Sequence, residues 1–330
     1  MRRAALLLPL ALGACEAATT GAQSWMAPAS ADARLMAALS WWFYASATFV
    51  FIVTMGLLAV AVAINRGGDQ RPPSRRRGLL LAIGGGVVAP VLAIGALTFS
   101  GVAISSETET EAGREVAPVE VRAVGKRWWW EFTYLRDGEP LFVTANELHL
   151  PVGARTRILL ESDNVIHSFW APNLQGKTDM IPGTRTQLFA EPEEAGVWRG
   201  QCAEFCGVQH ALMGFMVISQ PPEAFERWLA EQAEPAAPPA GHPGFAAFRD
   251  AGCAGCHVVR GLTGDEGGAP DLTHLADRRT LGAATLPNTR GNLGGWITST
   301  QHVKPGALMP AIAPEPEALF ALLDFLEALE

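Results

Sequence analysis

The sequence predicts a multidomain membrane protein in three parts: a two-helix transmembrane hairpin, a β-sandwich or barrel, and a small all-α module. Three features predict it. No charged residue occurs between Leu35 and Asn65, or between Gly78 and Ser106. From Val119 to about Ser219, short alternating runs are separated by turn dipeptides. A Pro/Ala-rich stretch, Glu234-Pro-Ala-Ala-Pro-Pro-Ala-Gly-His-Pro243, then divides this region from the remainder.

Each charge-free run exceeds the ~20 apolar residues needed to cross a bilayer. Trp41, Trp42 and Tyr44 stand near the start of the first run, where interfacial aromatics belong. The connecting loop carries Arg66, Arg71, Arg75, Arg76 and Arg77 against a single Asp69. Cationic loops stay in the cytoplasm, so residues 35–106 read as two transmembrane helices with both flanks outside. Everything after Ser106 is then periplasmic. Two buried core helices are the competing reading, which the length of the runs and the arginine-rich loop disfavour.

Residues 1–14 have two arginines and an apolar run, ending in Leu12-Gly13-Ala14-Cys15. That is the layout of a secretory signal peptide. The small residues before a cysteine resemble a bacterial lipobox, in which cleavage leaves Cys15 as a lipidated N-terminus. An ordinary signal with an incidental cysteine is the alternative.

The chain of 330 residues has room for two or three modules, and 49% of it is hydrophobic. A formal net charge of −8 argues against nucleic acid as a partner. Glu107, Glu109, Glu111, Glu115 and Glu120 form an acidic connector after the second span. Val119-Glu-Val-Arg-Ala-Val124 and Glu147-Leu-His-Leu150 alternate as half-buried strands do. Pro222 to Gln232 has helical spacing, with Phe225, Trp228 and Leu229 on one face. The boundaries are thus 117–232 for the β module, 233–243 for a stiff linker, and 244–330 for the last module.

Five cysteines, Cys15, Cys202, Cys206, Cys253 and Cys256, need an account in an exported chain. Cys202-Ala-Glu-Phe-Cys206-Gly-Val-Gln-His210-Ala-Leu-Met213 places two thiolates, an imidazole and a thioether in one loop. This is a soft donor set, and the thioether favours copper over zinc. Two thiolates can bridge two copper ions, so each metal still needs a terminal ligand. His210 supplies one imidazole. His167, in Asn164-Val-Ile-His-Ser-Phe-Trp170, is the best candidate for the other. A Cys202–Cys206 disulfide and a zinc site that leaves Met213 idle are the competing readings.

Cys-x-Glu-x-Cys-Gly-x-x-His-x-x-Met is similar to the copper A signature of cytochrome c oxidase subunit II. Val165-Ile-His-Ser-Phe-Trp170 and Gly176-Lys-Thr-Asp-Met-Ile-Pro-Gly183 also resemble that family, and the resemblance covers about residues 35–232. It implies a cupredoxin-like Greek-key β-barrel holding dinuclear copper A on His167, Cys202, Glu204, Cys206, His210 and Met213. Glu204 would ligate through its backbone carbonyl, and its carboxylate would reach a magnesium ion at the subunit I interface. Lys126-Arg-Trp128-Trp-Trp-Glu-Phe-Thr-Tyr134 resembles the family's aromatic segment, with Trp128 at the position where electrons enter. Alternation along a strand sends some of these rings outward, as a docking surface. The family often has a glutamate linked to proton uptake near the start of the second span. Here Arg77-Gly-Leu-Leu-Leu-Ala-Ile-Gly84 has no acid.

Cys253-Ala-Gly-Cys256-His257 is the attachment pattern of haem c. The thiols form thioethers with the haem, and His257 is placed to bind iron. Thiol–disulfide chemistry would leave His257 unexplained. Met309 is the only methionine after His257 and the preferred sixth ligand, with His274 and His302 as alternatives. Lys304-Pro-Gly-Ala-Leu-Met-Pro310 resembles the distal loop of class I cytochromes c. Leu319, Leu322, Leu323 and Leu326 make the apolar stripe of a final helix, which packs on the first helix of the module.

A cytochrome c behind a copper A domain looks like the caa-type bacterial oxidases. The resemblance implies a subunit of an oxidoreductase and translocase in the bacterial inner membrane, with both metal domains periplasmic. Electrons would pass from the fused haem to copper A and on to haem a of subunit I. Subunit I, with haem a, haem a3 and CuB, would reduce oxygen and move protons, with subunit III beside it. A soluble or membrane cytochrome c, or a quinol:cytochrome c reductase, would be the donor. The copper A subunit of a nitric oxide reductase and a stand-alone electron carrier are the alternatives.

Overall fold

The computed structural model describes residues 21–65, 74–108, 116–235, 241–264 and 267–330. The expected leader with Cys15, the loop residues Arg66, Asp69 and Arg71, and Glu109, Glu111 and Glu115 lie outside the described residues. The chain divides into two units, Arg34–Thr110 and the rest.

The first unit is helical. Helix α1 spans Ala31–Asn65. Arg75–Ile83 (α2) passes through a π-helical turn, Gly84–Val88, into Ala89–Thr108 (α3). Pro90 has no N–H for the carbonyl four residues earlier, which loosens the ladder at this turn. Ala31–Ile64 and Arg75–Thr108 are each 34 residues long and apolar enough to cross a membrane. Trp42, Phe49, Leu81 and Phe99 on them are exposed, so they are not core helices. The Ser46 and Thr54 hydroxyls donate to carbonyls one turn back, which leaves no polar group of theirs needing an outside partner.

The second unit holds two modules. In the β module, ten strands form two mixed five-stranded sheets. One has the order β3-β2-β1-β5-β8, from Glu139–Ala145, Trp129–Arg136, Val119–Lys126, Thr156–Ser162 and Thr186–Ala190. The other has the order β4-β10-β9-β6-β7, from Glu147–Pro151, Gly214–Gln220, Gly196–Cys202, His167–Trp170 and Thr178–Met180. Each contains one parallel pair, β1 with β5 and β4 with β10, so the chain crosses between sheets as a Greek key requires. Strand β1 alternates inside and outside along its whole length, as expected.

Strand β4 departs from simple alternation, because Glu147 is buried together with Leu148 and Leu150. Its carboxylate accepts from the backbone N–H of Arg279 at 2.6 Å and Thr280 at 3.1 Å. The inner faces meet over Trp130, Phe132, Phe169 and Phe215, with Trp130 and Phe215 centroids 5.1 Å apart and edge-on. Helix α4, Pro222–Ala233, buries Phe225 and Leu229, and Trp228 stacks on His149 at 3.9 Å.

Residues 21–33 belong to this unit and pack on the β module. Ala29 N–H donates to Asn173 O at 2.7 Å, Arg199 N–H to Ala22 O at 2.8 Å, and buried Arg155 pairs with Asp32 at 3.2 Å.

The C-terminal module is mainly helical, as expected, with one two-residue hairpin at Thr280–Leu281 and Leu286–Pro287 (β11, β12). Helices α5 (Pro243–Asp250), α6 (Arg290–Thr298), α7 (Thr300–Val303) and α8 (Pro316–Glu327) surround one core. Helix α5 crosses α8 as the leucine stripe implies. A Cβ on Gly244 would come within 2.0 Å of the Ala321 carbonyl oxygen, so only glycine permits this crossing. Phe245, Phe248 and Phe325 fill the space beside it.

Candidate metal centres

Two elements bring the soft donors together. His167 opens β6 and Cys202 closes β9, and these strands are paired at Phe169–Cys202. The loop after Cys202 then turns back through a short 3-10 segment, His210–Leu212, into β10. Cys202 N–H donates to Met213 O at 2.9 Å, which closes the base of the loop. The ring of His167 fits because β1 has glycine opposite it. A Cβ on Gly125 would come within 2.8 Å of His167 Cδ2.

The resulting geometry is symmetrical about the sulfur pair. Cys202 Sγ lies 3.7 Å from Cys206 Sγ, so the thiols are close but not bonded. Cys202 Sγ is 3.7 Å from His167 Nδ1, and Cys206 Sγ is 3.7 Å from His210 Nδ1. Met213 Sδ approaches Cys206 Sγ at 3.8 Å, and the Glu204 carbonyl oxygen approaches Cys202 Sγ at 3.1 Å. All six expected donors therefore meet, with each sulfur backed by one imidazole. His167, Cys202 and Cys206 are buried, and their ligand atoms lie within 4.8 Å of one another. The Glu204 side chain is half-buried at the rim.

Hydrogen bonding from Cys206 draws the Cys202 thiol down to about 3, against burial and with help from His167 and backbone amides. The Cys206 thiol is pushed up by that same hydrogen bond, by burial and by the neighbouring thiolate. The two thiols thus share one proton. The donor set is soft and dry, and it suits copper.

The second site lies in the C-terminal module. Gly252 ends the approach from α5, and Cys253–Gly255 make one 3-10 turn. His257 Nδ1–H donates to the Pro270 carbonyl at 2.7 Å, which fixes the tautomer and leaves Nε2 free to bind a metal. Burial lowers the pKa of His257 and keeps the ring neutral, as a ligand must be. A cavity of about 330 Å³ is lined by Cys253, Cys256, His257, Trp296 and Met309, a size ordinary for a cofactor site. Met309 and His257 therefore line one space. His274 is turned away, donating to the Glu234 carbonyl at 3.1 Å, and neither it nor His302 lines the cavity. These residues fit a haem joined through two thioethers.

Trp128 and Trp129 line this same cavity. Trp128 Nε1–H donates to the Cys206 carbonyl at 2.7 Å, and the ring lies between the two sites. Direct bonds also tie the two modules. Besides the Glu147 contacts, Gly214 N–H donates to Ala283 O at 3.2 Å and Arg260 to the Ala233 carbonyl at 3.1 Å. Lys304 and Pro270 escaped notice in the sequence. Pro270 acts only through its carbonyl, which no side-chain pattern announces. Lys304 stood in a loop already singled out for Met309, but it has no acidic partner nearby in sequence.

A mixed β-sandwich with a loop of soft donors, joined to a helical module with a Cys-x-x-Cys-His pocket, defines a membrane-associated electron-transfer metalloprotein. Residues 133–220 match the family model for the periplasmic domain of cytochrome c oxidase subunit II, and residues 242–330 match that for cytochrome c. Cytochrome c oxidase subunit 2 of Alkalihalophilus pseudofirmus is 34% identical over 252 residues, 74% of this chain and 71% of that protein. The protein of the same name from Bacillus sp. (strain PS3) is 31% identical over 225 residues, 64% of this chain and 61% of that one. Among solved structures, the periplasmic domain of subunit II of cytochrome oxidase (CoxB) of Bradyrhizobium japonicum is 28% identical, covers 35% of this chain and 94% of its own, and has a TM-score of 0.33. The chain belongs to the cytochrome c oxidase subunit II family and carries a cytochrome c domain behind its periplasmic domain.

Proposed function

We propose that this chain is the electron-accepting subunit of a bacterial terminal oxidase, with dinuclear copper A in the β module and covalent haem c in the C-terminal module. The observation that carries this reading is the sulfur pair 3.7 Å apart, each sulfur backed by one imidazole Nδ1 at 3.7 Å. His167, Cys202, Cys206, His210, Met213 and the Glu204 carbonyl would hold the copper pair. Cys253 and Cys256 would carry the haem, with His257 and Met309 on its iron. Both groups supply one-electron exchange when bound, and the Met/His pair suits a raised potential. The protein's part is to hold these donors still, keep water out and place Trp128 between the sites. The Glu204 carboxylate at the rim would meet magnesium where subunit I docks.

The same unit supports a placement in the membrane. Ala22 and Ala29, ahead of the first span, bond to Arg199 and Asn173 of the β module. This supports both flanks on one side, with two crossings of the inner membrane and the metal modules in the periplasm. Subunits I and III and a cytochrome c donor complete the assembly in this reading.

Metal and haem analysis of the purified complex tests it, together with optical and electron-spin spectra. Two coppers per chain sharing one unpaired electron, with covalent haem and oxygen consumption, are expected. Zinc at Cys202 and Cys206, or nitric oxide consumption in place of oxygen, would sink it.

A further inference from the structure

Lys304 is a buried ammonium with no carboxylate among its hydrogen-bond partners. It lies on the C-terminal module, between α7 and Met309, and is 3% exposed. Its Nζ donates to three backbone carbonyls: Trp128 at 3.0 Å, Leu212 at 3.0 Å and Gly282 at 3.2 Å. An ammonium has three donors, so the group is fully satisfied. Only the Gly282 carbonyl belongs to its own module. The other two come from the β module, on the two segments that shape the sulfur site: the turn before β2 and the residue ahead of Met213. The neighbouring contacts follow the same line. The Gln209 side-chain amide donates to the Pro305 carbonyl, and a Cβ on Gly306 would meet Val208 Cγ2 at 2.9 Å.

We propose that Lys304 is a positioning residue that fixes the C-terminal module in one register on the copper loop, holding the wall of the haem cavity against Trp128. This rests on the functional reading above only for its consequence; the docking itself depends on this chain's own residues. Removing the ammonium leaves three carbonyls without their donor, and any other docked register leaves the charge buried without its partners. Two carbonyls on separate segments, met by one ammonium, allow a single register. Burial draws Lys304 down to about 8, with Cys206 opposing, so the group is held here against a desolvation cost. The module is then seated in a defined pose and does not search from the end of a tether.

The test compares the intact complex with Lys304→Met, which keeps the stem and removes the donors, and Lys304→Arg. Hydrogen exchange at amides 127–130, 209–213 and 280–283 should speed up by about tenfold or more in Lys304→Met. Electron equilibration between haem and copper after a light pulse should slow, while both spectra stay unchanged. Lys304→Arg should fall between the two on both readouts. Unchanged exchange in Lys304→Met would overturn the proposal. Loss of either spectrum in that variant would also overturn it, because Lys304 would then build a site and not the contact between sites. Absence of the copper or haem signal from the unaltered complex would sink the functional reading instead, and the exchange data would still decide the docking.

Discussion

The indole N–H of Trp128 donates to the backbone carbonyl of Cys206 at 2.7 Å, while the same ring borders the cavity below Cys253 and Met309. One side chain thus touches the frame of both candidate centres. Trp128→Phe keeps an aromatic ring and removes the bond. A net loss of about 1 kcal/mol in stability is expected, typical of one hydrogen bond. The electron-spin spectrum of the copper site should change and the haem bands should not. Identical copper spectra would show that the bond does not shape the site.

The paired sulfurs make a sharper test. Cys206→Ser removes the thiol that faces both His210 and Met213. The variant should bind less copper and lose any signal of one electron shared by two ions. Atomic absorption with electron-spin resonance reads both. A retained shared signal would remove Cys206 from the bridge.

Copper loading should depend on pH in a defined direction. The thiol pair keeps one proton at neutral pH, because Cys202 is drawn down to about 3 and Cys206 is pushed up. Binding must displace that proton. Apparent copper affinity should therefore rise with pH, by roughly tenfold per unit for one proton released. Competition titrations with a chelator at two pH values measure the slope. A flat profile would mean that both thiols are already ionised.

Met309→Leu should leave the haem attached through Cys253 and Cys256. The iron should lose its low-spin spectrum and its midpoint potential should fall. Optical redox titration decides this. An unchanged potential would transfer the ligand role to another residue.

Gly244→Val puts a branched side chain where even a Cβ lies 2.0 Å from the Ala321 carbonyl. Overpacking of this kind costs about 1–3 kcal/mol. The haem module should melt earlier, followed through its visible bands, while the copper spectrum persists to the same temperature.

These cases show which features could be read from the chain. Donors with distinctive chemistry at fixed spacing, Cys202 to Met213 and Cys253 to His257, were legible because their function lies in their side chains. The long apolar runs were legible because bilayer thickness sets a length. Glu147 was misplaced because alternation assumes that a carboxylate faces water, and here two N–H groups of another module replace the water. The place of Trp128 beside the second cavity was not legible either. Which ring is covered depends on how the modules dock, and no local pattern carries that. Gly125 and Gly244 act by being absent in volume, which a single sequence does not announce.

The strand that ends in Cys202 is also stitched to residues ahead of the first span. Arg199 bonds Gln23 at 2.8 Å and Ala22 O at 2.8 Å, and Arg155 holds Asp32 at 3.2 Å, partners 123 to 177 positions apart in the chain. These ties join the segment ahead of the first span to the two sheets, so the sandwich is completed by residues that the long helical hairpin separates from it in sequence.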